Sequence, residues 1–274
     1  MIDDIIEIAL DEDLRHGDIT STALIDPREE ATANVIAKCD LILAGREIFE
    51  KTLNRVDAYL SVNHRFTDGS KVPKGSIIMT VTGSVLSMLK AERTALNFLS
   101  HMCGVATLTR RYVDAIPSGT KTRITDTRKT LPGLRRLEKY AVACGGGINH
   151  RSDLSAGILI KDNHIAVYGS IARAVGKARQ NLDPSHRIEV EVSSLQQVEE
   201  ALTSGAEVIM LDNMPLSDII VAVQKIAGRA LVEVSGNITI DRVAELAKVG
   251  VDFISVGAIT HSAPACDISM EIEK

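Results

Sequence analysis

Ten residues at 126–135, "DTRKTLPGLR", set Arg128, Lys129 and Arg135 around a Thr-Leu-Pro-Gly break. The chain as a whole is mildly acidic, with 31 Lys+Arg against 36 Asp+Glu and a formal net charge of -5. Cations gathered at a turn of an acidic protein can be a solvated loop, or they can await an anion. A guanidinium fork takes a carboxylate through two parallel hydrogen bonds. Further chemistry-bearing residues recur along the chain. "GGGINHR" carries His150 and Arg151, and "ILIKDNH" carries Lys161 with Asp162, Asn163 and His164. "IEVEV" holds Glu189 and Glu191 two residues apart. "VIMLDNM" ends in Asp212 and Asn213, "LVEVSGN" in Ser235, Gly236 and Asn237, and "FISVGA" reaches Gly257. The set is chemically divided. Arg128, Lys129, His150, Arg151 and Lys161 make a cationic half, and Glu191 and Asp212 face it. The glycine-bearing turns can bring backbone N–H groups close to a phosphate. Carboxylates opposite the cations repel a bare polyanion unless they meet Mg²⁺ or ribose hydroxyls. A carboxylate-bearing molecule beside a metal-bound sugar phosphate suits such a set.

Something must hold these residues together, and the runs that precede them show what. Each polar group follows a short β-branched or aliphatic run: "KTRIT", "AGILI", "IEVEV", "EVIML", "ALVEV" and "DFISV". Amphipathic segments such as "SLQQVEEALTSG" and "ITIDRVAELAKVG" lie between the later runs, each closed by a glycine as helices often are. Strands alternating with helices predict a parallel sheet, and the short, regular spacing favours a barrel of about six strands. In that architecture chemistry collects at the C-terminal ends of the strands, where the polar residues fall. The period of two puts Glu189 on the same face as Glu191, deeper in the barrel. The first hundred residues read differently. Ile2, Ile5, Ile6, Ala9 and Leu10 share one helical face. "ATANVIAKCDLILAG" and "GSIIMTVTGSV" read as strands, and a helix follows from Val85 to about Cys103. This is a small α+β layer, and the fold class is α/β overall.

Composition removes several functions. Aromatics are 3% of the chain and Trp is absent, which argues against stacking platforms for nucleic acid. The sequence pI of about 5.8, with no basic block, argues against a phosphate-backbone binder. No apolar run approaches a membrane span, and the acidic start "MIDDIIEIALDEDL" is unlike a basic signal peptide. Cys39, Cys103, Cys144 and Cys266 stand far apart with no CxxC pair, so reduced thiols and a cytoplasmic location are expected. Cys144 reads as packing rather than as a nucleophile. His64, His101 and His186 show no partnering pattern, and Arg135 and Arg136 suit a solvated helix start as well as a role.

The blocks "DTRKTLPGLRRLEKYAVACGGGINHR", "ILIKDNHI", "IEVEV", "IMLDNM", "EVSGNIT" and "VDFISVGAITHSAPACDISM" together resemble the quinolinate phosphoribosyltransferase family. "EDLRHGDITS" and "AERTALNFLSHMCGVAT" extend the resemblance over nearly the whole chain. It implies an N-terminal α/β sandwich domain, residues 1–103, and an incomplete α/β barrel, residues 104–265, with the tail 266–274 packing back on the first domain. The implied reaction joins quinolinate to phosphoribosyl pyrophosphate with Mg²⁺, giving nicotinate mononucleotide, CO₂ and pyrophosphate for NAD synthesis. By motif position Arg128, His150, Arg151 and Lys161 hold the quinolinate carboxylates, Lys129 stands between quinolinate and the phosphoribosyl group, and Thr127 is a further substrate-binding residue. Lys129, Lys161, Glu191 and Asp212 are the implied catalytic set, with Glu191 and Asp212 also near the Mg²⁺-pyrophosphate. Ser235, Gly236, Asn237, Gly257 and His261 are the implied phosphate holders, with Val256 and Ala258 as further substrate-binding residues. Arg93, in "AERTALN", matches the arginine that enters a neighbouring subunit's site, which implies at least a dimer. Two other readings stand beside this one. The first is a molybdenum-transport-associated paralogue of the same fold. The second is a barrel lyase using Lys161 or Lys129 as a Schiff-base nucleophile.

Overall fold

A computed structural model describes residues 2–181, 183 and 186–273. Two compact units divide the chain: Met1–Arg110 with Leu131–Gly146 and Ile259–Lys274, and Arg111–Thr130 with Gly147–Ala258. Within the first unit, α1 (Ile2–Leu14), α2 (Ile19–Leu24), β1 (Glu30–Ala37), β2 (Leu41–Ile42), α3 (Arg46–Val56), β3 (Ser61–His64), β4 (Lys71–Val72) and β5 (Ile77–Ser84) lead into the long helix α4 (Val85–Asp114). After α4 and a strand of the second unit, β6 (Arg123–Thr125), the helix α5 (Arg135–Cys144) again belongs to the first. The second unit continues with β7 (Ile158–Ile160), α6 (Asp162–Tyr168), α7 (Ile171–Asn181), β8 (Ile188–Val192), α8 (Leu195–Thr203), β9 (Val208–Asp212), α9 (Leu216–Ile226), β10 (Leu231–Ser235), α10 (Ile240–Val249) and β11 (Phe253–Ser255). The short helix α11 (Ala258–His261) and β12 (Ile268–Ile272) close the chain.

The first unit is built on an antiparallel sheet in the order β12-β1-β5-β3. The C-terminal strand lies on β1 from Ala33 opposite Ile272 to Ala37 opposite Ile268. Alternation on β1 buries Ala33, Val35 and Ala37, which pack with Met79 and Val81 of β5 and with Phe49, Leu53, Met88, Leu96 and Leu99 from the helices. Helix α4 continues past the expected end near Cys103. Val105, Ala106 and Thr109 are fully buried and extend its apolar stripe, and Thr109 satisfies its hydroxyl by donating to Val105 O at 2.8 Å.

The second unit holds six strands in the order β6-β11-β10-β9-β8-β7, every pair parallel. A bridge from Thr125 to Ile148 occupies the other edge of β6, so the sheet curls as an incomplete barrel. Alternation splits each strand's residues into two sets. Val190, Val192, Ile209, Leu211, Val232, Val234 and Ile254 are the buried outward set. The helices meet them with apolar residues at helical spacing, such as Ile219, Ala222 and Ile226 of α9 and Val243, Leu246 and Ala247 of α10. The inward set carries the polar residues, among them Glu189, Glu191, Asp212, Glu233, Ser235 and Ser255, together with apolar ones such as Leu159 and Met210, and it forms the site. Among the described residues no helix is long and apolar enough to cross a membrane.

Candidate active site

A cleft of about 440 Å³ opens at the C-terminal ends of these strands. Thr127, Arg128 and Lys129 follow β6, His150 and Arg151 come from the loop beside it, and Lys161 follows β7. Glu191 of β8, Asp212 of β9, and Ser235, Gly236 and Asn237 at the end of β10 complete the expected residues that line it. Val256, Gly257 and Ala258 do not line this cleft; Val256 N–H continues the β6–β11 pairing with a 2.9 Å bond to Thr125 O. His261 and Arg93 belong to the other unit. His261 Nδ1 pairs with Ser262 Oγ at 2.6 Å. Arg93 lies on α4 with a side chain 66% exposed, 4.0 Å from Glu92.

The cationic half is crowded. Burial, and then the guanidinium of Arg128, pull the pKa of Arg151 below its ordinary value. Arg151 Nη1 donates to Gly157 O at 2.9 Å, while its buried Nε has no hydrogen-bond partner. Adjacent guanidiniums repel, and a bound anion removes that repulsion. Across the cleft Lys161 Nζ forms an ion pair with Glu191. Its ammonium is thus committed to a carboxylate, not held apart as an isolated amine of the kind a Schiff-base lyase uses.

The turns after β9 and β10 interlock. Ser235 Oγ donates to Asp212 Oδ1 at 2.6 Å, and Asn213 Nδ2 donates to Asp212 Oδ2 at 2.8 Å. Asn237 Nδ2 donates to Asn213 Oδ1 at 3.1 Å, and Asn213 N–H bonds Ser235 O at 3.0 Å. Asn213, Gly236 and Asn237 all take positive φ, at 53°, 95° and 50°. Asparagine tolerates that region, but Gly236 has a second constraint. A Cβ there would overlap the Asn213 side-chain amide and stand 2.8 Å from the Asn213 backbone nitrogen. Bonds between the two turns and the close approach at Gly236 therefore fix their shape.

Beneath the cleft lies a second cavity of about 360 Å³ inside the barrel, and His150, Arg151 and Glu233 line both. His150 Nε2 is 3.0 Å from Glu189 Oε2 and 3.7 Å from Glu233 Oε1. Ser255 Oγ donates to Glu233, and the fully buried Asp126 accepts the His150 backbone N–H at 2.8 Å. Burial, then the neighbouring Glu189, push the Glu233 carboxyl up to about 7, against the pull of His150 and Ser255.

Leu159, Met210, Asn213, Glu233 and Ser255 also line the cleft and were not among the expected site residues. A signal for four of them was present. Each of Leu159, Met210, Glu233 and Ser255 stands two residues before an expected one, on the same inward face. Two of the remaining histidines have partners as well: His64 with Glu50 at 2.8 Å and His101 with the fully buried Glu138 at 2.9 Å.

Fold and site together define an α/β-barrel enzyme for anionic substrates. Comparison with known proteins narrows this. Residues 18–103 match the family model "Quinolinate phosphoribosyl transferase, N-terminal domain", and residues 105–271 match the corresponding C-terminal domain. The chain is 43% identical over 276 residues to the nicotinate-nucleotide pyrophosphorylase [carboxylating] of Mycobacterium leprae, covering 98% of this chain and 96% of that one. It is 41% identical over 288 residues to quinolinate phosphoribosyltransferase [decarboxylating] 1b of Nicotiana tabacum, covering 98% and 81%. Among solved structures, NadC from Streptococcus pyogenes superposes with a TM-score of 0.94 at 41% identity, covering 100% of this chain and 97% of that one. The chain belongs to the quinolinate phosphoribosyl transferase family.

Proposed function

We infer that the chain transfers a phosphoribosyl group from phosphoribosyl pyrophosphate to quinolinate, with loss of CO₂, giving nicotinate mononucleotide and pyrophosphate in NAD biosynthesis. Family membership supports it, and the geometric observation that carries it is the Arg128–Arg151 pair facing Glu191 and Asp212 across one cleft. The cationic wall suits a ring with two carboxylates, and Thr127 adds a hydroxyl beside it. Lys129 follows Arg128 directly, where it can reach toward the phosphoribosyl group. Ser235, Gly236 and Asn237 offer a phosphate site, and Val256, Gly257 and Ala258 follow the adjacent strand β11.

The bond from the ribose anomeric carbon to pyrophosphate breaks as the pyridine nitrogen bonds to that carbon. The resulting pyridinium draws electron density from its neighbouring carbon. The carbon–carbon bond to the 2-carboxylate then breaks, CO₂ leaves, and the ring carbon takes a proton. The chain's own contribution is placement and fixed charge. Arg128, Arg151, His150 and Lys161 orient quinolinate, while Glu191 and Asp212 face the charge that develops on the ribose. These two carboxylates also fit a magnesium ion, since Mg²⁺ takes one or two carboxylates together with substrate phosphates. Held by Glu191 and Asp212 with the substrate phosphates, such an ion would supply positive charge against the departing pyrophosphate.

Two further features belong to the same reading. Arg93 serves a neighbouring subunit's cleft, so the enzyme is at least a homodimer. The four cysteines stand as free thiols, as the reducing cytoplasm keeps them. The experiment is direct. Quinolinate, phosphoribosyl pyrophosphate and Mg²⁺ yield one CO₂ per nucleotide, and nicotinate is a poor substrate. Equal turnover of nicotinate without CO₂ contradicts the reading.

A further inference from the structure

Glu189 and Glu233 have no part in the chemistry above, although both point into the barrel. They are nearly inaccessible, 8% and 3% exposed, and each is aimed at the same imidazole. Burying a carboxylate is costly unless it is paired. Both pair with His150 Nε2, at 3.0 and 3.7 Å, and Ser255 Oγ fixes Glu233 from the next strand. The backbone of the same histidine is tied by its N–H to Asp126. His150 is thus held twice, by its main chain at the end of β6 and by its ring from β8 and β10. A carboxylate bonded to one ring nitrogen settles the tautomer and the orientation of the ring, and so what the ring presents elsewhere. Ring and carboxylates stand at the floor of the cleft, where His150 and Glu233 border both cavities.

We propose that Glu189 and Glu233 are positioning residues that act through the His150 ring to set the enzyme's affinity for quinolinate. This rests on the reading of His150 as a quinolinate-binding residue. The Glu233 carboxyl is raised to about 7 by burial first and by the neighbouring Glu189 second, against the pull of His150. The effect falls on one substrate only. His150 is read as a contact to quinolinate and not to the phosphoribosyl group, so the KM for phosphoribosyl pyrophosphate is not affected.

The test is a double-mutant cycle on the full-length enzyme, reading kcat and both KM values for wild type, Glu189→Gln, His150→Ala and the double variant. Glutamine keeps the shape and an accepting oxygen. Glu189→Gln raises the KM for quinolinate about tenfold, within the range of coupling between contacting residues. The KM for phosphoribosyl pyrophosphate stays within about twofold, and in the His150→Ala background the same substitution adds less than about twofold. Glu233→Gln, checked for folding by thermal denaturation, repeats the pattern and is the second variant should Glu189→Gln fail to fold. An unchanged quinolinate KM in the folded glutamine variants overturns the proposal. So does a full effect that persists without His150, which marks a structural role. A stoichiometric metal ion on the purified enzyme, lost from both glutamine variants, overturns it in favour of a metal site at the triad. His150→Ala with an unchanged quinolinate KM overturns the assignment of His150 itself, and the proposal with it.

Discussion

Arg128 and Arg151 line one cleft, where burial and then the charge of Arg128 pull the pKa of Arg151 down, and the site makes sense once an anion lies between them. Truncating either to alanine removes charge-assisted bonds to quinolinate, worth about 1.5–3 kcal/mol each, and calorimetry with quinolinate reads this as weaker binding. Asp212→Ala leaves quinolinate affinity nearly intact and instead impairs use of the Mg²⁺-bound cosubstrate; a loss confined to quinolinate affinity contradicts the division of the cleft. Glu233 permits a second prediction, on stability. Its folded carboxyl titrates near 7 against an ordinary 4.5, so between those pH values the folded chain holds a proton that the unfolded chain has released. Stability therefore falls as pH rises through that window, and the contribution is fully present only below it. Glu233→Gln cannot ionise and escapes the loss. Thermal unfolding at pH 5.5 and pH 8 should show the wild type losing ground against the variant at the higher pH. At this scale the sequence showed the charged strand ends, because charge at a strand end is visible one residue at a time. For Glu233 and Ser255 it carried only the period-two signal of an inward face, and their roles depend on which residue of a neighbouring strand lies beside them.

At the scale of elements, the strand-and-turn units explain why the site has its shape. The six runs read from the sequence are the six parallel strands, because strands in a barrel alternate between an apolar outer face and an inner one. The end of α4 was not legible. Gly104, directly after Cys103, reads as a helix stop, but it is there for a close approach, since a Cβ would stand 2.2 Å from Pro264 O. The burial of Val105, Ala106 and Thr109 carries the helix on to Asp114. The turn after β10 carries the element-scale prediction. Gly236→Ala must adopt a φ near 95° and must displace Asn213, which in turn holds Asp212. Backbone strain of this kind costs about 1–3 kcal/mol. The variant should therefore melt at a lower temperature, and its KM for phosphoribosyl pyrophosphate should rise more than that for quinolinate. An unchanged melting temperature with both constants intact means the turn is looser than its geometry implies.

For the whole molecule, the reading requires more than one chain. Arg93 sits on α4, exposed and far in sequence from the barrel strands, at a pocket that Glu12, Asp13 and His101 also line. If it completes a neighbour's cleft, inactive Arg93→Ala and Lys129→Ala chains complement each other when refolded together. Random mixing puts about half the dimers in mixed form, each with one intact site, so activity returns to roughly a quarter of wild type. Mixed dimers without recovered activity place Arg93 outside the shared site. The central claim is that this barrel joins a dicarboxylate to a phosphoribosyl group and then decarboxylates it, and the most direct measurement follows the carbon that leaves. Quinolinate labelled in its 2-carboxylate is incubated with phosphoribosyl pyrophosphate and Mg²⁺, and labelled CO₂ is counted against nicotinate mononucleotide formed. The account predicts one labelled CO₂ for each nucleotide. A nucleotide that retains the label, or that forms equally well from nicotinate, would contradict it.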